Sequence, residues 1–242
     1  MKKLPEITLL FWIMKICATT LGETAGDLFS MTLNIGYAVS SIMLISIFLV
    51  TLIAQLISKR YIPVLYWTVI LATSTAGTTM SDYMDRTLKL GYANGSLILL
   101  SVLIMTLLLW YYVERSLSVT NIKTFKGELF YWIAILFSNT LGTALGDFLA
   151  DNSGLGFAGG AILISSILAL VVLAYYFTKI SHVVLFWVAF VLTRPFGATF
   201  GDLLTKIPDK GGFGFGTKGS SLILFTILII LIVYTSVRRN RT

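Results

Sequence analysis

Hydrophobic and polar positions divide this chain into long apolar runs and shorter, more polar segments. The apolar runs are 38–57, 97–113, 161–177 and 221–237, and each follows a mixed segment, at 9–21, 64–76, 129–141 and 183–192. An apolar helix of about 20 residues crosses a ~30 Å hydrocarbon layer. The pattern predicts an all-α integral membrane protein with eight transmembrane helices, arranged as four helical hairpins.

The mixed segments share a motif that recurs four times. A Trp is followed ten residues later by Gly, four later again by a small residue, and then directly by Asp. The copies are Trp12/Gly22/Gly26/Asp27, Trp67/Gly77/Ser81/Asp82, Trp132/Gly142/Gly146/Asp147 and Trp187/Gly197/Gly201/Asp202. Their offsets are 55, 65 and 55 residues, which indicates a duplication of a duplication. We therefore expect halves at 1–118 and 119–242, with repeats at about 1–60, 61–118, 119–180 and 181–242.

Composition supports the membrane interpretation and narrows the chemistry. Apolar residues make up 57% of the chain, charged residues 12%, and the mean hydropathy is +0.89. A single cysteine and a single histidine do not support an internal disulfide or a Cys/His metal site. No nucleophile–base pair or cofactor motif is visible, so we expect neither an enzyme nor a resident cofactor.

Charge is distributed unevenly between the two predicted faces. Because each repeat contains two helices, the repeats are parallel and all four motif-bearing turns emerge on one face. The face with the termini has a net charge of +8, and the turn face has −2. By the positive-inside rule, both termini are cytoplasmic and the acidic turns face outward. The basic residues are thus topology signals and do not require nucleic acid as a partner.

The small residues predict close helix packing. Two small residues four positions apart lie on one helix face and let another backbone approach. The four pairs are Gly22/Gly26, Gly77/Ser81, Gly142/Gly146 and Gly197/Gly201. A second recurring element, Gly36, Gly91, Gly156 and Gly214 with the aromatic residue after each, is expected to begin the second helix of each repeat.

The aspartates are expected to lie inside the bilayer. If Trp12 is an interfacial anchor and the helix continues, Asp27 lies about 22 Å along the helix, short of the far surface. An intramembrane carboxylate costs roughly 2.5 to 3.5 kcal/mol, so four at one depth should face each other or a wet cavity. In the alternative interpretation each helix ends at the small residue, and the Asp caps the following turn.

Differences between repeats indicate where chemistry concentrates. Glu23 stands four residues before Asp27 and makes these two the candidate metal ligands, while Arg194-Pro195 replaces the Thr before Leu-Gly in the fourth repeat and predicts a helix break. Arg194 is interpreted as a gating residue or counter-charge near Asp202. The candidate ion-binding residues are Glu23, Asp27, Asp82, Asp147, Asp202, Thr20, Thr75 and Thr140.

Two resemblances bear on function. The segments 22–27 (Gly-Glu-Thr-Ala-Gly-Asp) and 193–206 resemble the signature of a family of bacterial multi-pass proteins described only as membrane-anchored. This resemblance covers nearly the whole chain and implies a bacterial inner-membrane location. A looser likeness is to cation exporters whose paired motifs read Glu-x-Gly-Asp and which move manganese or calcium. Here the motif from Glu23 to Asp27 is one residue longer and lacks the following basic residue.

The leading hypothesis is an inner-membrane transporter of a small cation. Oxygen ligands without Cys or His favour a hard divalent ion such as manganese, magnesium or calcium as substrate. Short, Gly-interrupted hydrophobic segments at matching positions point to a transporter site, and protons could be the counter-substrate. The alternatives are a cation channel and a structural or sensory membrane protein without transport. The expected partners are the lipid bilayer and the cation, and homo-oligomerisation is left open.

Overall fold

A computed structural model describes residues 3–122 and 124–239. Lys2, Lys123 and Arg241, which contribute to the predicted cytoplasmic charge, lie outside the described residues. The described chain is all-helical and contains eight long helices, two in each repeat. They are α1 (Leu9–Asp27), α2 (Tyr37–Ile57), α3 (Pro63–Asp82), α4 (Tyr92–Glu114), α5 (Phe125–Asp147), α6 (Gly156–Phe177), α7 (His182–Thr205) and α8 (Gly216–Arg239). The predicted all-α class with internal repeats is confirmed.

Six of the eight helices, α2 and α4 to α8, are long and apolar enough to cross a membrane. The chain is therefore a membrane protein. The other two, α1 and α3, carry polar side chains along their buried faces. Helix α1 contains Lys15 and Glu23, and the second half of α3 is rich in Thr and Ser, including Thr73, Ser74 and Thr78.

The first helices of the four repeats form a closed ring. Helix α1 packs against α3, α3 against α5, α5 against α7, and α7 against α1. Their buried faces carry the small residues and the acids of the motif. The four motif helices therefore surround a common axis, which fits the expectation that their acids face each other.

The second helices pack differently from the predicted hairpins. Helix α2 packs against α3, α4 against α5, α6 against α7, and α8 closes the circle against α1. The tightly packed pairs therefore join one repeat to the next, and the two long helices of the same repeat are not principal partners. The reason is geometric, because the turn after each motif helix carries the chain sideways onto the neighbouring ring helix.

The second helices form the outer layer of the molecule. Their outward side chains are large and apolar, as at Ile42 (69% exposed), Leu108 (63%), Leu170 (62%) and Ile230 (61%). An exposed apolar surface of this extent is stable only against lipid. The four apolar helices thus lie outside the ring of motif helices.

Helical structure continues through the aspartates. Asp27, Asp82 and Asp147 end their α helices, and a π-helical turn follows each of them, at Leu28–Thr32, Tyr83–Thr87 and Phe148–Asn152. Their side chains make no capping hydrogen bond. The alternative in which they cap a turn is therefore wrong. Asp202 lies within α7, which runs through Pro195 without the predicted break.

Glycine marks the start of each second helix. Gly36 and Gly91 precede α2 and α4 with φ of +84° and +75°, a left-handed conformation that glycine adopts without steric cost. Gly156 (φ +67°) opens α6 in the same way. In the fourth repeat the equivalent residue is Gly216 (φ +69°), so the assignment to Gly214 was wrong by two residues.

Three of the four motif tryptophans are core residues. Trp67, Trp132 and Trp187 are 1%, 0% and 6% exposed, and Tyr66 and Tyr131 share a 2.6 Å hydrogen bond between their hydroxyl groups beside them. These three tryptophans therefore pack inside the protein. This aromatic layer fills the end of the ring opposite to the aspartates.

Candidate functional site

The small residues of the motif hold the ring together. A Cβ atom added to Gly22 would collide with Ser74 of α3, one at Gly142 with Arg194 of α7, and one at Gly197 with Thr19 of α1. In each case the glycine meets the residue three positions before the glycine of the next repeat. The fourth interface follows the same rule, because a Cβ at Gly77 would lie 2.9 Å from the backbone N of Thr140 and 3.0 Å from the carbonyl carbon of Asn139.

The second small residue packs one turn further along in the three repeats that have glycine there. A Cβ at Gly26 would lie 2.7 Å from Thr78, one at Gly146 2.7 Å from Ala198, and one at Gly201 3.0 Å from Glu23. These glycines therefore pack closely, as predicted. Because each helix repeats the same offset against the next, the four helices run in one direction and equivalent residues form layers across the axis.

Ser81, the second small residue of the second repeat, makes an additional contact. It was predicted only as a packing residue, and it is buried, at 1% exposed, but its hydroxyl donates to Asp85 Oδ2 at 3.3 Å. A buried hydroxyl requires a partner, and only the second repeat has an acid four residues later, since the other repeats have Ser30, Ala150 and Thr205 there. Asp85 in turn lies against Gly95 of α4. Ser81 therefore holds a carboxylate at the junction with the outer layer.

The central layer holds a buried ion pair. The four residues of this layer come directly after the motif glycines of their helices. They are Glu23, Thr78, Thr143 and Ala198. Arg194, from the layer one turn away, places its Nη2 atom 3.0 Å from Glu23 Oε2. The side chain of Arg194 is 0% exposed, and that of Glu23 is 4% exposed.

Arg194 connects its own helix to the other three helices of the ring. Besides Glu23 on α1, its Nη2 donates to Thr78 Oγ1 on α3 and lies 2.7 Å from Thr143 Oγ1 on α5. It also lies 3.3 Å from the carbonyl oxygen of Ser74, on the helix opposite to α7. Each threonine hydroxyl is in turn 3.2 Å from Glu23 Oε2. The guanidinium group therefore crosses the axis of the ring and contacts the three other ring helices.

The next layer contains the four aspartates, and two cations bridge them in pairs. Arg86, four residues after Asp82, has Nε 2.9 Å from Asp82 Oδ1 and Nη2 3.1 Å from Asp147 Oδ2. This side chain therefore joins α3 to α5. The two carboxylates are 2% and 4% exposed, while the Arg86 side chain is 31% exposed and lies at the rim.

Lys206 forms the equivalent bridge on the other side. It lies four residues after Asp202, and its Nζ is 2.9 Å from Asp202 Oδ1 and 2.8 Å from Asp27 Oδ2. It therefore joins α7 to α1. We call Arg86 and Lys206 the two clasps. The same position holds Met31 in the first repeat and Asp151 in the third. The interfaces α1/α3 and α5/α7 therefore have no clasp at this position, and the ring has twofold instead of fourfold pseudosymmetry at this end.

Three carboxylates converge closely enough to hold one cation. One oxygen from each of Glu23, Asp147 and Asp202 lies within 4.8 Å of the others, and all three residues are buried. The two threonine hydroxyls beside Glu23 add neutral oxygen ligands. This trio differs from the predicted pair of Glu23 and Asp27, because Asp27 is drawn to Lys206.

The other predicted residues fall into two groups. All four motif aspartates and Glu23 do come together at one end of the ring. Thr20, Thr75 and Thr140 do not join them, because their hydroxyls donate to carbonyl oxygens of their own helices, those of Ile16, Leu71 and Leu136.

The predicted neighbour of Arg194 also needs correction. Its carboxylate partner is Glu23, whereas Asp202 pairs with Lys206. Sequence reasoning missed both clasps, although a cation four residues after the motif Asp is visible in two of the four repeats. It also missed Thr78 and Thr143, whose alignment with Glu23 was the available signal.

Comparison with known proteins identifies the repeat. The chain has no match among curated proteins or among solved structures. One family matches four times, at residues 10–61, 65–116, 130–181 and 185–242, and these matches follow the four repeats. They cover most of the chain, which therefore belongs to the DUF347 family, described as a repeat of unknown function.

Proposed function

We propose that this protein is an inner-membrane transporter of a small cation, most simply a divalent metal ion, with its substrate site among the repeat helices. The observation that carries the proposal is the convergence of Glu23, Asp147 and Asp202, whose oxygens lie within 4.8 Å of one another. Each of the three carboxylates has a cation on one side, but at this separation they still repel one another, and a further cation or protons between them would relieve that repulsion. Intramembrane acids gathered in this way are typical of ion pathways.

The charge of the site supports a divalent substrate. Five buried carboxylates, Glu23 and the four motif aspartates, face three cations, Arg194 and the two clasps. With every group ionised, two negative charges remain. One divalent cation, or two protons, would neutralise them. Exchange of a metal ion for protons is therefore a natural form of coupling at this site.

The ligand atoms narrow the class of metal. The acids and the two threonine hydroxyls offer only oxygen, and the chain's only cysteine, Cys17, donates to the carbonyl oxygen of Leu224. Carboxylate and hydroxyl oxygens suit hard ions such as Mn²⁺, Mg²⁺ and Ca²⁺. These three ions are the probes for the experiments below.

A carrier fits this geometry better than an open channel. The guanidinium of Arg194 crosses the axis beside Glu23, and the aromatic layer fills one end of the ring. In our proposal Arg194 is the internal cation that holds Glu23 when no substrate is bound. The incoming ion competes with it, so binding of the substrate is linked to movement of a packed side chain.

The clasps suggest which parts move. Arg86 ties α3 to α5, and Lys206 ties α7 to α1. With the outer helices that pack on them, these pairs define two bodies, α2 to α5 and α6 to α8 with α1. We propose that transport rocks these bodies against each other at the two interfaces without clasps. The two bodies do not coincide with the sequence halves 1–118 and 119–242. Helix α1, from the first half, belongs to the body of α7, and α5, from the second half, belongs to the body of α3.

We further propose that all eight long helices cross the bacterial inner membrane as parallel repeats, with both termini in the cytoplasm. The surplus of basic residues on the terminal face supports this orientation. The test is membrane-impermeant thiol labelling of single cysteines in a Cys17→Ala background. Cysteine at Asn152 or Lys210 should react from the periplasmic side, and cysteine at Lys59 should react only after the membrane is opened. The reverse pattern would overturn the orientation.

Transport is tested with purified protein in liposomes. We expect saturable uptake of Mn²⁺, Mg²⁺ or Ca²⁺ that responds to an imposed proton gradient. Asp147→Asn and Asp202→Asn keep the shape of the side chain but remove a ligand charge, so each should lower the flux at least about tenfold. Asp151→Asn and Asp209→Asn are the matched controls, because these acids are exposed, and they should transport normally.

Other results would select another function. Uptake that rises linearly with voltage and does not saturate would indicate a channel. If folded protein moves none of the three ions, and whole-cell metal content is unchanged without the protein, the transporter proposal fails. In that case a structural or sensory role remains, and the aspartate variants would reduce folded yield alone.

A further inference from the structure

A second group of buried charges lies on the other side of Arg194 from the acids. Lys15 is on α1, two helical turns before Glu23, or about 12 Å along the helix. It is 0% exposed, and among the described residues it forms no salt bridge. Its Nζ lies 3.5 Å from Asn139 Oδ1, a long contact, and 4.2 Å from the centroid of the Phe190 ring.

The guanidinium of Arg194 has unused donors as well. Its Nη2 makes all of its polar contacts, whereas Nε and Nη1 are buried and have no hydrogen-bond partner among the described residues. The hydroxyl groups of Ser74 and Ser138, both 0% exposed, also have no hydrogen-bond partner among the described residues. Buried hydrogen-bond donors normally have an acceptor, and a charged donor that lacks one destabilises the folded protein.

The two cations lie in adjacent layers of the ring. Arg194 lies three residues before the motif glycine of α7. Lys15, on the neighbouring helix α1, lies seven residues before its own motif glycine, so its layer is four residues earlier along the helices. The layers are about 6 Å apart, and the two charges repel each other. An anion bound between the two side chains would accept from Lys15 Nζ and from the unpaired Nε and Nη1 of Arg194.

We propose that the protein binds one small monovalent anion, of the size of chloride or bromide, between Lys15 and Arg194. The anion accepts from Lys15 Nζ and from the free nitrogens of Arg194, and it compensates the lysine charge. The site adjoins the carboxylate site through Arg194, but its existence does not depend on cation transport. It explains how Lys15 is retained as a buried cation although it has no carboxylate partner among the described residues.

The first test uses thermal unfolding of the purified protein in detergent, in sodium chloride, bromide or gluconate at equal ionic strength. Chloride and bromide should raise Tm with a saturable dependence, by about 5 °C or more at a hundredfold excess over Kd, while gluconate, which is too large, should not. Lys15→Met keeps the length of the side chain without its charge and should abolish the difference. Lys210→Met, at an exposed position, should keep it.

The second test is direct and needs no variant. A crystal grown in bromide should show an anomalous peak between Lys15 Nζ and Arg194. Absence of that peak, a wild-type Tm that is the same in all three salts, or an anion effect that persists in Lys15→Met would each overturn the proposal. Either of the first two results would mean that no anion compensates Lys15, and the third would mean that the anion binds elsewhere.

Discussion

Arg194 Nη2 lies 3.0 Å from Glu23 Oε2, and both side chains are buried at the centre of a ring of four helices. The two residues come from the fourth and the first repeat, so this contact forms only when the ring closes. It places a charge-assisted hydrogen bond where the surrounding helices exclude water. In such a place an unpaired partner would be more costly than the pair is favourable.

The pair predicts strong coupling in a double-mutant cycle. Glu23→Gln and Arg194→Met should each destabilise the protein by about 3 to 5 kcal/mol, because each leaves the other charge buried without its partner. The double variant should lose less than the sum of the two. Thermal unfolding in detergent with a chelator measures the effect, and Arg60→Met, at an exposed position, is the control. Additive losses would show that the two charges are independently satisfied.

The Lys206 clasp predicts opposite effects on stability and on ion affinity. Lys206→Met leaves three uncompensated negative charges in the site instead of two. The protein should unfold at a lower temperature in a chelator, and it should bind Mn²⁺ or Ca²⁺ at least about tenfold more tightly. Isothermal titration of the variant beside Lys210→Met checks this. Unchanged or weaker ion binding in Lys206→Met would show that the charge of this clasp does not oppose cation binding.

The ring interface predicts a clear difference between two glycines. Gly77→Ala places a methyl group 2.9 Å from a backbone nitrogen that cannot move alone, and should destabilise the protein by about 1 to 3 kcal/mol. Gly219→Ala is the matched control, because this helical glycine has nothing within 4 Å of its added Cβ. That change should be neutral or slightly stabilising, since alanine favours a helix more than glycine does. Equal effects would mean that the α3/α5 approach is looser than the structure indicates.

Ion binding should depend on pH with a definite sign. Protons and the metal ion compete for the same carboxylates, so lowering the pH favours the protonated, metal-free site. Displacement of one or two protons predicts that Kd for Mn²⁺ weakens by about tenfold to a hundredfold for each pH unit. Calorimetry in buffers of different ionisation enthalpy would count the released protons. A Kd that is independent of pH, without proton release, would exclude metal–proton exchange.

The sequence alone predicted much of the architecture because that part is encoded within single helices. The four Trp–Gly–small–Asp motifs, the eight long helices and the apolar character of the second helices follow from local periodicity. The shared spacing also aligned Asp27 with its three counterparts, and since all four motif helices run in one direction, these acids had to lie in one layer. The small residues four positions apart required close neighbours on the same face.

Only the tertiary structure decided which helices and which charges meet. Helix α2 packs against α3, and α8 against α1, because the ring closes between neighbouring repeats, and no local pattern states the partner of a helix. The rotation of each helix in the closed ring then directs Arg194 across the axis to Glu23, and leaves Lys206 between Asp202 and Asp27. Charges distant in the chain find partners through this closure, since a buried charge takes the nearest opposite charge in space.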